Sequence, residues 1–173
     1  MEPGTPRVLL LGFGNPGRQD DGLGPALAAA IEALRIPGVT VDADYQLMVD
    51  DAARFVDADL VILVDAAMEG PGPYFVERVT PRSGSSFSSH GVEPPELVAL
   101  ARDLFQATPP VYLVGIRGYL FESFEERLSP SAVGNLDAAV RFLAGSLAAD
   151  PAVALEACMR PLSSPGGIGT EET

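Results

Sequence analysis

Short apolar runs alternate with amphipathic stretches along most of the chain. The apolar runs predict strands at residues 7–13, 39–45, 60–64, 74–79 and 111–116. The first predicted helix carries Leu23, Leu27, Ile31 and Leu34 on one face. Further helices are predicted at residues 49–56, at 93–105 and after Ser129-Pro130, the last with a buried stripe of Val133, Leu136, Val140, Leu143 and Leu147. This alternation is typical of βαβ units and predicts an α/β protein.

The run LVILV at residues 60–64 is apolar at every position. Such a run predicts a central strand that is covered on both faces of a sheet. Asp65 follows directly, so we expect the strand to end there. In open α/β sheets ligands bind beyond the carboxyl ends of the strands, which places the Asp65 carboxylate at a candidate crevice. The run at 74–79 predicts a strand at a sheet edge.

Length and composition favour one domain. The chain has 173 residues, of which 47% are hydrophobic, and this predicts a single packed domain at residues 1–160. The polar, glycine-rich end at 161–173 is predicted to be a disordered tail. Cys158 is the only cysteine, which leaves neither an intrachain disulfide nor a thiolate metal cluster.

Charge and hydropathy exclude several classes of partner. The formal net charge of -13 argues against a nucleic-acid partner and against an anionic membrane surface, since both need clustered Lys and Arg. The first residues lack the basic and apolar regions of a secretory signal, so none is expected, and no apolar run has membrane-spanning length. We therefore expect a soluble, cytoplasmic protein that acts as a monomer.

The loop at residues 12–25 reads GFGNPGRQDDGLGP. Gly12, Gly14 and Gly17 match G-x-G-x-x-G, the pattern of a dinucleotide-binding turn, in which helix N–H groups meet a pyrophosphate. Here the turn pair Pro16-Gly17 delays the helix to about residue 21, which places Asp20 and Asp21 where the anion would bind. Dinucleotide binding is therefore the weaker interpretation, although Asp42 and Asp44 are available for a ribose. A simpler interpretation is that the two aspartates cap the helix.

Three polar features follow the predicted strands. Asp20 and Asp21 follow the first strand, Asp65 follows the central one, and His90, the only histidine, closes a Ser-rich loop. Two carboxylates and an imidazole form a ligand set for a divalent metal such as nickel or zinc. Three protein ligands leave positions free for water or substrate. Each residue alone has a simpler explanation, since a histidine in a polar loop is commonly idle and Asp65 can be a turn residue.

Six blocks of the sequence resemble the nickel–iron hydrogenase maturation endopeptidases, the aspartic-type peptidase family A31. They occur in the order of that family: LLLGFGNPGRQDDGLG at 9–24, DYQL at 44–47, LVILVDAA at 60–67, SSHG at 88–91, VYLVGIRG at 111–118 and LSP at 128–130. The resemblance implies a three-layer α/β/α sandwich around a mostly parallel, mixed five-stranded sheet. The segment MVDDAARF at 48–55 and the Ser-rich loop depart from the pattern of the family and leave the particular hydrogenase open.

The resemblance also implies a function. Members of this family remove the C-terminal extension of the hydrogenase large-subunit precursor after nickel insertion. By position, the nickel-recognising and catalytic residues fall on Asp21, Asp65 and His90. On this hypothesis the nickel arrives with the precursor and is not a permanently bound cofactor.

Hydrolysis by such a site has two routes. The metal can polarise the scissile carbonyl or activate a water, or a carboxylate can act as general base. Three other interpretations of the sequence stay open. They are a metal-dependent amidohydrolase that holds its own zinc, a non-catalytic nickel or precursor chaperone on the same fold, and the dinucleotide-binding protein considered above.

Overall fold

The computed structural model describes residues 4–83 and 91–159. Five strands form one sheet in the order β2-β1-β3-β5-β4. Their bounds are β1 Val8–Phe13, β2 Val39–Asp44, β3 Leu60–Ala67, β4 Tyr74–Arg78 and β5 Val111–Arg117. β4 alone runs antiparallel to its neighbour, at the edge beside β5, and the other pairings are parallel. The mixed, mostly parallel sheet and the edge position of β4 are as predicted, and the direction of β4 is an addition from the structure.

Helices cover both faces of this sheet. The α-helices are α1 Leu23–Ala33, α2 Pro94–Phe105, α3 Pro130–Ala148 and α4 Pro151–Cys158, and two 3₁₀ helices span Gln19–Gly22 and Val49–Asp57. Buried side chains of α1, α3 and α4 form one core with the sheet. Those of α2 and of the 3₁₀ helix Val49–Asp57 form a second core on the opposite face. The molecule is thus the three-layer α/β/α sandwich that the resemblance implied.

β3 is the central strand of this arrangement. Leu60, Ile62 and Val64 point into the core beneath α1 and α3, and Val61 and Leu63 point into the core beneath α2. Because neighbouring strand residues face opposite sides of a sheet, a strand covered twice must be apolar at every position. This burial explains the uninterrupted run that predicted the strand.

Three details of the prediction were wrong, and one helix was missed. Asp65 does not end β3, because the strand continues to Ala67 through pairing with β5. Leu34, predicted on the buried face of the first helix, is 51% exposed because it lies beyond the last residue of α1. Val133, predicted in the buried stripe of α3, is 43% exposed because Ala132 is the residue of the first turn that faces the core. The short helix predicted at 49–56 is confirmed as the 3₁₀ helix Val49–Asp57, whereas α4 was not predicted.

Glycines bring α1 against the strand ends. A Cβ atom on Gly24 would lie 2.3 Å from the carbonyl oxygen of Phe13 and 2.6 Å from that of Val64. A Cβ atom on Gly12 would lie 2.3 Å from the carbonyl oxygen of Gly24. These neighbours are backbone atoms, which cannot rotate away as a side chain can. The start of α1 therefore lies directly over the carboxyl ends of β1 and β3.

The Gly24→Ala variant is expected to lose about 2 kcal/mol of unfolding free energy, because the added methyl group forces helix and strands apart. The matched control is Gly145→Ala in α3, where nothing lies within 4 Å of the added Cβ. That change should raise stability by about 0.5 to 1 kcal/mol through helix propensity. Urea unfolding measures both. A Gly24→Ala protein as stable as the wild type would contradict the close helix–strand contact.

Two regions named from the sequence, His90 and the tail at 161–173, lie outside the described residues. The predicted boundary at residue 160 therefore stays a prediction. Within residues 4–83 and 91–159, none of the helices combines the length and the apolar composition needed to cross a membrane.

Candidate functional site

The loop after β1 makes a tight turn that presents Asp21. Gly14 has a φ of +138°, a region that favours glycine, and its N–H donates to the Asp44 carbonyl oxygen at 3.1 Å. A Cβ atom on Gly14 would lie 2.0 Å from the Asp21 carbonyl oxygen. The N–H of Asn15 donates to Asp21 Oδ2 at 3.1 Å. These contacts fix the half-exposed Asp21 carboxylate beyond the carboxyl end of β1.

Asp20 has a different environment from its neighbour. Its side chain is fully buried and accepts hydrogen bonds from the N–H groups of Tyr119 and Leu120 at 2.8 and 2.9 Å. It also accepts from the N–H and the hydroxyl of Ser129, both at 2.7 Å. Burial alone would raise the pKa of Asp20, but the hydrogen bonds from Ser129, Leu120 and Tyr119 outweigh it and hold the pKa below its usual value.

The capping interpretation of the two aspartates is therefore wrong. Neither the 3₁₀ helix Gln19–Gly22 nor α1 has a side-chain hydrogen bond at its N-cap. Asp20 instead joins the loop after β1 to the segment between β5 and α3, and Ser129, which donates to it, is itself the N-cap of α3. This leaves Asp21 as the carboxylate of the pair that is presented at the strand ends.

Asp65 lies on β3 on the same face as Val61 and Leu63, which is the face that α2 covers. Burial raises its pKa to about 7. The N–H of Ala66, which donates to Asp65 Oδ1 at 2.8 Å, opposes this rise. The negative charges of Asp21 and Glu93 add to it. Asp65 directly follows Val64, which pairs with Gly12 of β1. Asp21 and Asp65 therefore lie near each other at the edge of the sheet where β1 ends.

Glu93 is a carboxylate at this edge that the sequence did not single out. It is exposed and is the N-cap residue of α2, immediately before Pro94. The chain reaches this position along the loop after β2: the N–H of Val92 donates to the Leu47 carbonyl oxygen at 3.0 Å, and Gly91 contacts Gln46. The sequence did contain a signal for Glu93. It lies directly before the prolines that begin α2, and this helix packs on the central strand.

The described carboxylates do not form a metal cage. In the part of the chain that the structure describes, no group of three His, Cys, Asp or Glu side chains has the placement needed to hold an ion. Asp21 and Asp65 are thus two carboxylates at one edge of the sheet without a third described ligand beside them. His90, the third predicted ligand, falls outside the described residues, so its role stays a prediction.

The geometry also weighs against the dinucleotide interpretation. The N–H of Asn15 is used by the Asp21 carboxylate, and that of Gly14 by the Asp44 carbonyl oxygen. A pyrophosphate in a glycine-rich turn needs these amides and a neutral or positive environment. Here it would meet the negative charge of Asp21 instead.

The raised pKa of Asp65 predicts that the stability of the metal-free protein falls as the pH rises from about 4 to about 7. In the unfolded chain this carboxyl loses its proton near pH 3.9 (roughly the ordinary value for aspartate). Between these two pH values the folded state keeps the Asp65 proton that the unfolded chain has lost. The stability that this proton provides is therefore lost as the pH rises to the folded-state pKa.

Asp65→Asn is accordingly expected to be more stable than the wild type at pH 8, by about 1 to 3 kcal/mol. At about pH 4 the two proteins should differ little, because both are then uncharged at this position. Urea unfolding with a chelator present at both pH values measures the difference. An equal difference at the two pH values would contradict the charge-burial explanation.

Comparison with known proteins adds information at the level of structure. No protein-family model matches the chain, and no curated protein matches it in sequence. Among solved structures, the NiFe hydrogenase maturation protease HycI from Thermococcus kodakarensis KOD1 is similar with a TM-score of 0.65 and 24% identity, over 84% of this chain and 94% of that chain.

Two further structures show the same likeness. The hydrogenase maturating endopeptidase HybD from E. coli has a TM-score of 0.62 and 20% identity, over 83% of this chain and 94% of that chain. The hydrogenase 2 maturation peptidase from Thaumarchaeota archaeon SCGC_AB-539-E09 has a TM-score of 0.58 and 24% identity, over 82% of this chain and 98% of that chain. At these identities the likeness establishes a shared fold, over more than four fifths of this chain and nearly the whole length of the other structures.

Proposed function

We propose that this protein is an endopeptidase that removes the C-terminal extension of a NiFe hydrogenase large-subunit precursor after nickel insertion. The observation that supports the proposal is the placement of Asp21 and Asp65 on neighbouring strands at one edge of the sheet: Asp21 is held in the turn after β1, and Asp65 directly follows Val64, which pairs with Gly12 of β1. The fold around this pair is one also found in structures of hydrogenase maturation proteases. Of the six sequence blocks that resemble family A31, the five that lie within the described residues contain most of β1, all of β3 and β5, the turns after β1 and β2, and the start of α3.

In this proposal nickel is part of the substrate. Asp21 and Asp65 offer carboxylate oxygens to an ion that the precursor holds, and His90 supplies an imidazole as a third donor. Because these donors leave coordination positions open, they complete the shell of an ion that arrives with its own ligands. A precursor without nickel would lack this contact, which makes cleavage conditional on metal insertion.

Two routes to hydrolysis fit the same residues. Nickel held between precursor and protein would act as a Lewis acid on the scissile carbonyl or on a water. Alternatively, Asp65 would accept a proton from the attacking water, and its pKa of about 7 supports this role because a general base works best with a pKa near the working pH. On either route Gly14 and Asn15 hold Asp21 in position, and close packing of α1 on the strand ends keeps the turn rigid.

The test is to incubate the purified precursor, with and without nickel, with the wild-type protein and with His90→Ala. We expect the nickel-loaded precursor to lose its extension, seen as a mass decrease, and the nickel-free precursor to stay intact. His90→Ala should leave both uncut while retaining the thermal unfolding midpoint of the wild type. Equal cleavage of both precursors by the wild type would exclude nickel recognition, and binding without any shortening would indicate a chaperone.

A further inference from the structure

Large apolar side chains are exposed around the candidate site, on loops that follow three parallel strands. The set comprises Tyr45 and Met48 after β2, Met68 after β3, and Tyr119, Leu120 and Phe124 after β5; we call it the apolar rim. Phe124 is 85% exposed, Tyr45 68% and Met68 65%. Because parallel strands end at the same edge of a sheet, these loops lie on the side of the molecule that carries Asp21 and Asp65.

The rim residues belong to loops that are tied to each other. The Arg117 guanidinium lies over the Tyr119 ring at 4.9 Å and donates to the carbonyl oxygens of Ala67 and Met68. The N–H of Gly118 donates to the Ala67 carbonyl oxygen at 3.0 Å. The loops after β3 and β5 therefore form one surface, next to the strand that carries Asp65.

The loop after β2 joins this surface from the other side. The Asp44 carbonyl oxygen, next to Tyr45, accepts from Gly14 in the turn that presents Asp21. On the other side, Asp20 holds the N–H groups of Tyr119 and Leu120. The apolar rim is thus continuous with the candidate site through hydrogen-bonded backbone and is not a scatter of separate exposed residues.

The same loops are acidic. Glu69 follows Met68, Asp50 follows Met48, and the segment around Phe124 carries Glu122, Glu125 and Glu126, all exposed. The one basic residue in that segment, Arg127, pairs with Glu125 at 3.4 Å. Aromatic and methionine side chains exposed among carboxylates fit a partner that presents apolar side chains together with Lys or Arg.

We propose that the apolar rim binds a segment of the precursor that carries both apolar and basic side chains, outside the metal-bearing part that the carboxylates recognise. This inference rests on the proposed function and adds a second contact to it. Burial of exposed aromatic and methionine side chains would supply affinity. The surrounding carboxylates would speed the encounter and select a basic partner.

The experiment compares two double variants. Met68→Ser/Phe124→Ser removes two rim side chains, and Leu104→Ser/Val153→Ser removes two side chains of α2 and α4 that are 61% and 64% exposed and lie off the rim. Binding of the full nickel-loaded precursor to immobilised protein is measured beside the cleavage rate. The rim variant should raise Kd and KM about tenfold or more and leave kcat within about twofold, because the rim contacts no reacting atom.

The control variant should bind and cleave as the wild type does. Raising NaCl from about 50 to about 500 mM should weaken binding of the wild type if carboxylates attract a basic segment. Unchanged Kd in the rim variant, or salt-independent binding, would overturn the proposal. If the precursor binds tightly through the apolar rim but is not cleaved, the rim proposal is retained and the peptidase function is rejected. A wild-type dimer that the rim variant converts to monomers would make a second copy of this chain the occupant instead.

Discussion

Asp21→Asn is expected to slow processing of the nickel-loaded precursor by about 100-fold or more, while the protein stays folded. Asparagine keeps the shape of the side chain and one oxygen, so it can still accept the hydrogen bond from the Asn15 N–H. It loses the negative charge that favours binding of a divalent ion. Mass measurement of the large subunit over time gives the rate, and circular dichroism with thermal unfolding reports the fold.

Asp137→Asn is the matched control for this change. Asp137 is an exposed aspartate on α3, away from the loop after β1, and its replacement should leave processing unchanged. Processing by Asp21→Asn within about threefold of the wild-type rate would remove Asp21 from the proposed site, since a group that acts on the reacting centre contributes about 100-fold or more. If Asp21→Asn still binds the nickel-loaded precursor but does not cleave it, Asp21 acts in the chemical step and not in binding.

Asp20→Asn, one residue away, should have a different effect. It should lower the stability of the fold, whereas Asp21→Asn should leave the fold stable and slow processing. The Asp20 carboxylate accepts four hydrogen bonds, so the polar groups that face it are N–H and O–H donors. An asparagine amide would place its own N–H₂ group against some of them, inside the protein. The expected cost is about 3 to 5 kcal/mol, as for a buried charged group whose partners are left unsatisfied. Urea unfolding at pH 7 measures this loss.

The pH dependence provides a check on the cause. Because the folded-state pKa of Asp20 is lowered, its contribution is present above the ordinary aspartate pKa and is lost as the pH falls through the folded value. The difference between wild type and Asp20→Asn should therefore shrink in acid. A second variant, Ser129→Ala, removes the hydroxyl that donates to Asp20 and that also caps α3 by accepting from the Ala132 N–H. It should cost about 1 to 3 kcal/mol. Full stability of Asp20→Asn at pH 7 would contradict the hydrogen-bond network.

The strands were the most predictable part of the fold. A strand covered on both faces must be apolar throughout, so the run at 60–64 identified β3 and its central place. The end of β3 could not be found in the same way. Asp65 remains in the strand because its backbone pairs with β5, and backbone pairing does not depend on the polarity of the side chain. Helix ends were likewise set by packing: Leu34 continues the helical spacing but lies past the last turn of α1.

The candidate site was predictable in part, for a similar reason. Asp21 and Asp65 each follow or end an apolar run, so strand topology alone brings them to one edge. The different environments of Asp20 and Asp21 were hidden, since the partners of Asp20 lie about 100 residues further along the chain. The approach of Glu93 to Asp65 was hidden as well, because it depends on how α2 packs across the sheet.

The buried carboxylate of Asp20 has a consequence for recognition as well as for stability. It holds the backbone of Tyr119, Leu120 and Ser129 in the free protein. The loop that displays Phe124 is therefore anchored near both of its ends before any partner arrives. Ordering one backbone residue costs about 1 to 2 kcal/mol of conformational entropy. A partner that docks on a preorganised loop does not bear that cost, so more of its contact energy remains as affinity.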